Sequence, residues 1–159
     1  KRQIQKFREV NGGEDPVRNF VALNPTCRLF LHEFWANYQY KHEFNPPHWH
    51  GGLYSFVIWM KIPYSWEEQT KLPQFQTTKI NDRKAGMFEF EYSDTRGETR
   101  SLSYQLSPDF EGCMCFFPAW MRHAVYPFFG TDEERVSISG NVWYMDGPPE
   151  TKGKGFGSK

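Results

Sequence analysis

The chain has 159 residues with 19 basic and 19 acidic side chains, so its formal net charge is zero. That balance excludes the basic excess expected of a general nucleic-acid binder, and the length supports one domain with a sizeable core rather than two. Aromatic residues make up 18% of the chain and fall in alternating runs, which favours strands over helices.

Taken in chain order, "KRQIQKFREV" (1–10) spaces Ile4, Phe7 and Val10 three apart, which predicts a short amphipathic helix ended by "NGGEDP". "LFLHEFWANYQYKHEF" (29–44) alternates, with Phe30, His32, Phe34, Ala36, Tyr38 and Tyr40 sharing one face. "LYSFVIWMKI" (53–62) is apolar nearly throughout and predicts a strand buried on both faces. The polar segment 63–85 contains Pro63 and Pro73 and predicts a long excursion with at most one strand, a natural lid. "GMFEFEYS", the turn "DTRGE" and "TRSLSYQL" predict a hairpin. "CMCFF", "MRHAVYPFF" and "ERVSISGNVWYM" predict further strands, and the Gly/Lys-rich end (147–159) a flexible tail behind a single domain over 1–146. Eight to ten short strands without strand–helix alternation predict an all-β sandwich, jelly roll or small barrel.

Cys27, Cys113 and Cys115 are odd in number and irregular in spacing, unlike a secreted disulfide framework. A single C-x-C pair lacks the second pair of a four-sulfur zinc site. No apolar run reaches the roughly 18 residues of a membrane span, and no signal peptide is visible. The expected location is cytoplasmic, with no membrane partner.

Three features carry chemistry. His48 and His50 in "NPPHWHGG" are two residues apart, so on a strand they share a face and can converge on one ion. His123 lies far downstream in "FPAWMRHAVYP", as expected where opposing strands of a barrel meet. Imidazole suits Fe, Zn, Cu or Ni. Arg135, Ser137, Ser139 and Asn141 in "ERVSISGN" share a face by strand parity. A guanidinium and a hydroxyl pointing inward need a partner, which a bound carboxylate would supply. Each feature has a plainer reading: two histidines on a solvated edge, or Arg135 in a surface ion pair with Asp132 or Glu133.

Together the residues spell H-x-H, a distant His and R-x-S. This resembles the Fe(II)/2-oxoglutarate-dependent oxygenase superfamily, whose usual pattern is H-x-D/E, His and R-x-S/T on a double-stranded β-helix. Over roughly 37–143, "NPPHWHGGLYSFVIW" and "GCMCFFPAWMRHAVYPFFGTDEERVSISGN" are similar to a group of 2-oxoglutarate oxygenases of phages and bacteria. The resemblance implies a jelly-roll, cupin-like core. It implies Fe(II) held by His48, His50 and His123, and 2-oxoglutarate held by Arg135 and Ser137, with the Tyr38 hydroxyl reaching the cosubstrate. It further implies O₂ as co-reactant, hydroxylation of an unidentified substrate, and release of succinate and CO₂. A phage-encoded protein in the host cytoplasm and a homodimer are compatible with the class. Gly112 and Pro118 match turns that aim the strand of His123; Asn141 matches a terminal Asn without an assigned role.

Position 50 departs from the superfamily pattern by carrying His where an acid usually stands. Either His50 replaces the acid in a three-His site, or the motif begins at His50 and "His50-Gly51-Gly52" leaves a coordination position open, as in iron halogenases. A third reading keeps the fold without this chemistry, as a three-His cupin that does not use 2-oxoglutarate or as a non-catalytic binding or structural jelly roll.

Overall fold

Alternating side chains drive eight strands, among the described residues, into two antiparallel sheets of four. The computed structural model describes residues 2–10, 12, 28–76 and 83–145. Cys27 and the tail 147–159 lie outside them. The first sheet has the order β1 (Arg28–Gln39), β8 (Arg135–Met145), β3 (Tyr54–Lys61), β6 (Met114–Pro118). The second has the order β2 (Asn45–His48), β7 (Arg122–Val125), β4 (Met87–Ser93), β5 (Thr99–Gln105). This is the all-β, jelly-roll-like architecture expected, with the N-terminal helix α1 (Arg2–Val10) in place. Among the described residues, no helix is long and apolar enough to cross a membrane.

Local chemistry sets the connections. The β4–β5 turn closes because the Asp94 carboxylate accepts the N–H groups of Arg96 and Glu98 at 2.9 and 3.0 Å, with Gly97 at φ +79°. The polar excursion is helical rather than extended. Ser65 and Glu68 form a reciprocal capping box at the start of α2 (Trp66–Lys71), and α3 (Pro73–Gln76) follows. Nor is α2 a free lid. Gln69, 3% exposed, donates to the Phe129 carbonyl at 2.9 Å and accepts from its N–H at 2.7 Å.

The main core lies between the sheets, where Val57, Trp59, Phe88, Phe90, Phe117 and Phe128 pack together. Each ring fully removed from water contributes roughly 2 kcal/mol. A second cluster forms outside the first sheet. There Ile4 and Phe7 of α1 cover Tyr54, Leu53 and Val142. Val10, in phase with them by sequence, is exposed. Strand β3 is buried on both faces only at its start, since Met60 and Lys61 reach solvent.

Strand β1 runs against simple amphipathic logic. A bulge lies between Leu31 and Glu33, and beyond it the apolar even positions face outward: Phe34 and Tyr38 are each 62% exposed. The odd positions Trp35, Asn37 and Gln39 face the space between the sheets, opposite Ser139, Ser137 and Arg135. The polar side of this strand therefore lines the interior, and a cavity of about 670 Å³ lies there.

Candidate metal centre and anion pocket

Strands β2 and β7 pair so that His48 stands directly opposite His123, and their ring centroids are 4.3 Å apart. Two residues on, the His50 N–H donates to the Ala119 carbonyl at 2.9 Å. Its ring then lies 5.1 Å from that of His48 and 5.0 Å from that of His123. One ring nitrogen from each histidine lies within 4.8 Å of the other two. The three histidines predicted from sequence thus converge. His32 and His42 stay outside the cluster, against Trp143 and Phe129 respectively.

Backbone carbonyls choose the tautomers of two rings. His48 Nδ1 sits 2.7 Å from the Pro46 carbonyl and His123 Nδ1 sits 3.0 Å from that of Met121. A carbonyl only accepts, so each Nδ1 carries the proton and each Nε2 keeps its lone pair for an ion. His123 is 4% exposed and wedged against Phe88 and Phe117. Burial, with the neighbouring His48 and His50 adding to it against the Met121 hydrogen bond, pushes its pKa down to about 4. Burial and then His48 also lower His50, opposed by Glu33. Both shifts favour the neutral imidazole at His50 and His123, the form that binds metal. This donor set, three neutral imidazoles with no carboxylate in the described cluster, fits a divalent transition ion.

The lowered His123 pKa has a stability consequence in the metal-free protein. Between pH 6.5 and 4 the unfolded chain binds a proton at this site that the folded chain does not. Stability is then fully present above pH 6.5 and is lost as pH falls toward 4, by ~3 kcal/mol in all. Denaturant unfolding of wild type and His123→Gln across that window checks this. Wild type should show the steeper loss, and matching profiles would contradict it.

Arg135, the first residue of β8, is 3% exposed. Its guanidinium donates to the Tyr64 hydroxyl, to Gln39 Oε1 and, at 3.2 Å, to the Tyr126 carbonyl. The rings of Tyr64 and Phe128 lie 5.8 and 5.5 Å from it. Desolvation lowers its pKa, and Tyr64 opposes that. The expected surface pairing is not formed, because Asp132 pairs with Lys41 and Glu133 with Lys61. Among the described residues no carboxylate pairs with Arg135. A buried cation with only neutral acceptors is costly, and a bound anion would relieve that cost. Ser137 lies next along the same face. Its Oγ accepts from Asn37 Nδ2 at 3.4 Å, which leaves its own O–H to donate.

This cavity is lined by His48, His50 and His123 as well as by Arg135 and Ser137, with Trp59, Phe88 and Phe117 supplying apolar wall. Tyr38 also borders it, but strand alternation turns its ring to the outer face, and Asn37 and Gln39 reach inward instead. Of the aromatic residues near the motifs, Trp49 and Trp120 are exposed and Tyr54 is buried under α1. The Gly51-Gly52 step has a packing reason. Gly52 has φ +99°, and a Cβ there would lie 2.9 Å from Trp143 Nε1 and from the Val142 carbonyl.

Asn37, Gln39, Tyr64 and Tyr126 were not legible as site residues. The phase of β1 depends on a bulge that the sequence does not mark, and Tyr64 and Tyr126 reach Arg135 from segments far apart in the chain. No curated protein matches the chain. A family model described as "Putative 2OG-Fe(II) oxygenase" matches residues 33–141, a span containing all three histidines, Arg135 and Ser137, and the chain belongs to that family.

Proposed function

We propose that the protein is an Fe(II)- and 2-oxoglutarate-dependent dioxygenase that hydroxylates a substrate not yet identified. The observation that carries this reading is a buried guanidinium with no carboxylate partner among the described residues, in the same cavity as three converging histidines. A metal-only cupin would need the histidines and would leave Arg135 unexplained. The absent acidic ligand favours that second reading, and 2-oxoglutarate binding separates the two.

Under the favoured reading His48, His50 and His123 hold the metal, and Arg135 with Ser137 holds the distal carboxylate of 2-oxoglutarate. Bound metal and cosubstrate supply the oxidising power, with the balance substrate C–H + O₂ + 2-oxoglutarate giving C–OH, succinate and CO₂. The protein's own residues do the positioning. The Pro46 and Met121 carbonyls fix the tautomers of His48 and His123, so these rings present their Nε2 atoms without reorganisation. Tyr64 and Gln39 aim the guanidinium. Asn37 turns the Ser137 oxygen so that its proton is available to an incoming carboxylate. Trp59, Phe88 and Phe117 exclude water from the cavity wall, which strengthens the Arg135–carboxylate attraction. Three neutral ligands would leave the ion's charge uncompensated, and the cosubstrate dianion would supply part of the missing negative charge.

The test is turnover. Protein loaded with Fe(II) and 2-oxoglutarate should form succinate when air is admitted, even without prime substrate. A protein that binds the metal but forms no succinate and does not bind 2-oxoglutarate would instead be the metal-only cupin.

A further inference from the structure

Two of the three histidines have their outer nitrogen held by a backbone carbonyl, and His50 does not. Among the described residues its ring makes no hydrogen bond. His50 is also the residue standing where the superfamily's usual pattern puts an acid. A ligand ring free on its outer side is poorly oriented, and metal-bound histidines usually donate that N–H to a carbonyl or carboxylate.

Strand β1 brings a carboxylate to this side of the centre. Glu33 shares the inward face of β1 with Trp35, whose ring lies 5.7 Å from that of His50. Glu33 stands in register with Asn141, which lines the same cavity as His50. It is also held in place. Asn141, its register partner on β8, donates through Nδ2 to Glu33 Oε2. The Asn141 amide is oriented in turn by Ser55, whose Oγ donates to Oδ1 at 2.7 Å. Ser55 and Asn141 are each 2% exposed. Two buried side chains thus fix the direction of one carboxylate on β1.

We propose that Glu33 is the outer carboxylate of the metal centre, accepting the free N–H of His50 through one water and supplying from β1 part of the negative charge that position 50 lacks. Asn141 and Ser55 are positioning residues for it. This rests on the reading that the three histidines hold a metal. The plainer alternative is that the Glu33–Asn141 contact only pins β1 to β8. That alternative affects stability and leaves metal affinity alone.

The experiment is anaerobic titration of the full chain with Fe(II), and with Co(II) as a visible probe, for wild type, Glu33→Gln, Glu33→Asp and Asn141→Ala. Glu33→Gln keeps an oxygen for Asn141 and removes the charge. It should weaken both metals about 10–100-fold and shift the Co(II) spectrum, while the metal-free melting temperature stays put. Glu33→Asp should recover part of the affinity. Asn141→Ala should weaken binding less than Glu33→Gln. Wild-type metal affinity in Glu33→Gln would overturn the proposal while leaving the proposed function standing. If Glu33→Gln does not fold, wild-type affinity in Asn141→Ala overturns it equally. A wild-type protein that binds neither metal would overturn both readings.

Discussion

Replacing Arg135 with Met should cost at least about 30-fold in 2-oxoglutarate affinity, since truncating one partner of a buried, hydrogen-bonded charge pair typically costs 2–5 kcal/mol. Metal affinity should stay within about twofold, as expected for sites that share no partner. The contrast follows from the geometry. Arg135 is 3% exposed, its hydrogen-bond partners among the described residues are the neutral groups of Tyr64, Gln39 and Tyr126, and the nearby acids Asp132 and Glu133 are taken by lysines. Among the described residues its removal orphans no buried carboxylate, so the metal-free protein should keep its melting temperature. Arg135→Lys should fall between, because an ammonium keeps the charge and loses the planar fork. Calorimetry of the metal-loaded variants reads both affinities. Wild-type 2-oxoglutarate binding in Arg135→Met would place the anion elsewhere.

The second large effect concerns the histidines. His48→Ala and His123→Ala should each weaken Fe(II) binding well beyond the roughly 10–100-fold that losing an outer-shell partner costs. The two substitutions differ in their side effects. His48 is half-buried, so its loss should leave the fold intact. His123 is packed against Phe88 and Phe117, so its loss opens space in the core and should lower the melting temperature as well. His50→Asp is the informative partner variant. If His50 occupies the position of the usual acid, an aspartate there should keep or improve iron affinity. Loss of binding in His50→Asp would mean the imidazole is required for another reason. Wild-type iron affinity in His48→Ala would remove that residue from the centre.

The chemistry was more legible in the sequence than the walls around it. The spacing of His48 and His50, the distant His123 and the parity of Arg135 and Ser137 all survive translation into strands, because period-2 alternation holds along β8 and His48 pairs directly with His123. The β4–β5 hairpin was legible for the same reason, and its Asp-Thr-Arg-Gly turn closes as its residue types dictate. Strand β1 was not. Its more apolar face looks like the core face, yet Phe34 and Tyr38 point out and Asn37 and Gln39 point in. A polar cavity inverts the usual rule, and functional sites are where such inversions are expected. The α2 start is marked locally by Ser65-x-x-Glu68, a capping box between Pro63 and Pro73. The Ser55–Asn141–Glu33 relay joins three strands, β3, β8 and β1, so no local pattern announces it.

The central claim is that one cavity binds a metal through three histidines and 2-oxoglutarate through Arg135. Anaerobic titration of the protein with Fe(II) and then with 2-oxoglutarate tests both halves at once. The account predicts a visible metal-to-ligand charge-transfer band that saturates with the cosubstrate in wild type and is absent in both Arg135→Met and His48→Ala at the same concentrations. No band in wild-type protein at saturating Fe(II) and 2-oxoglutarate, or an undiminished band in Arg135→Met, would contradict it.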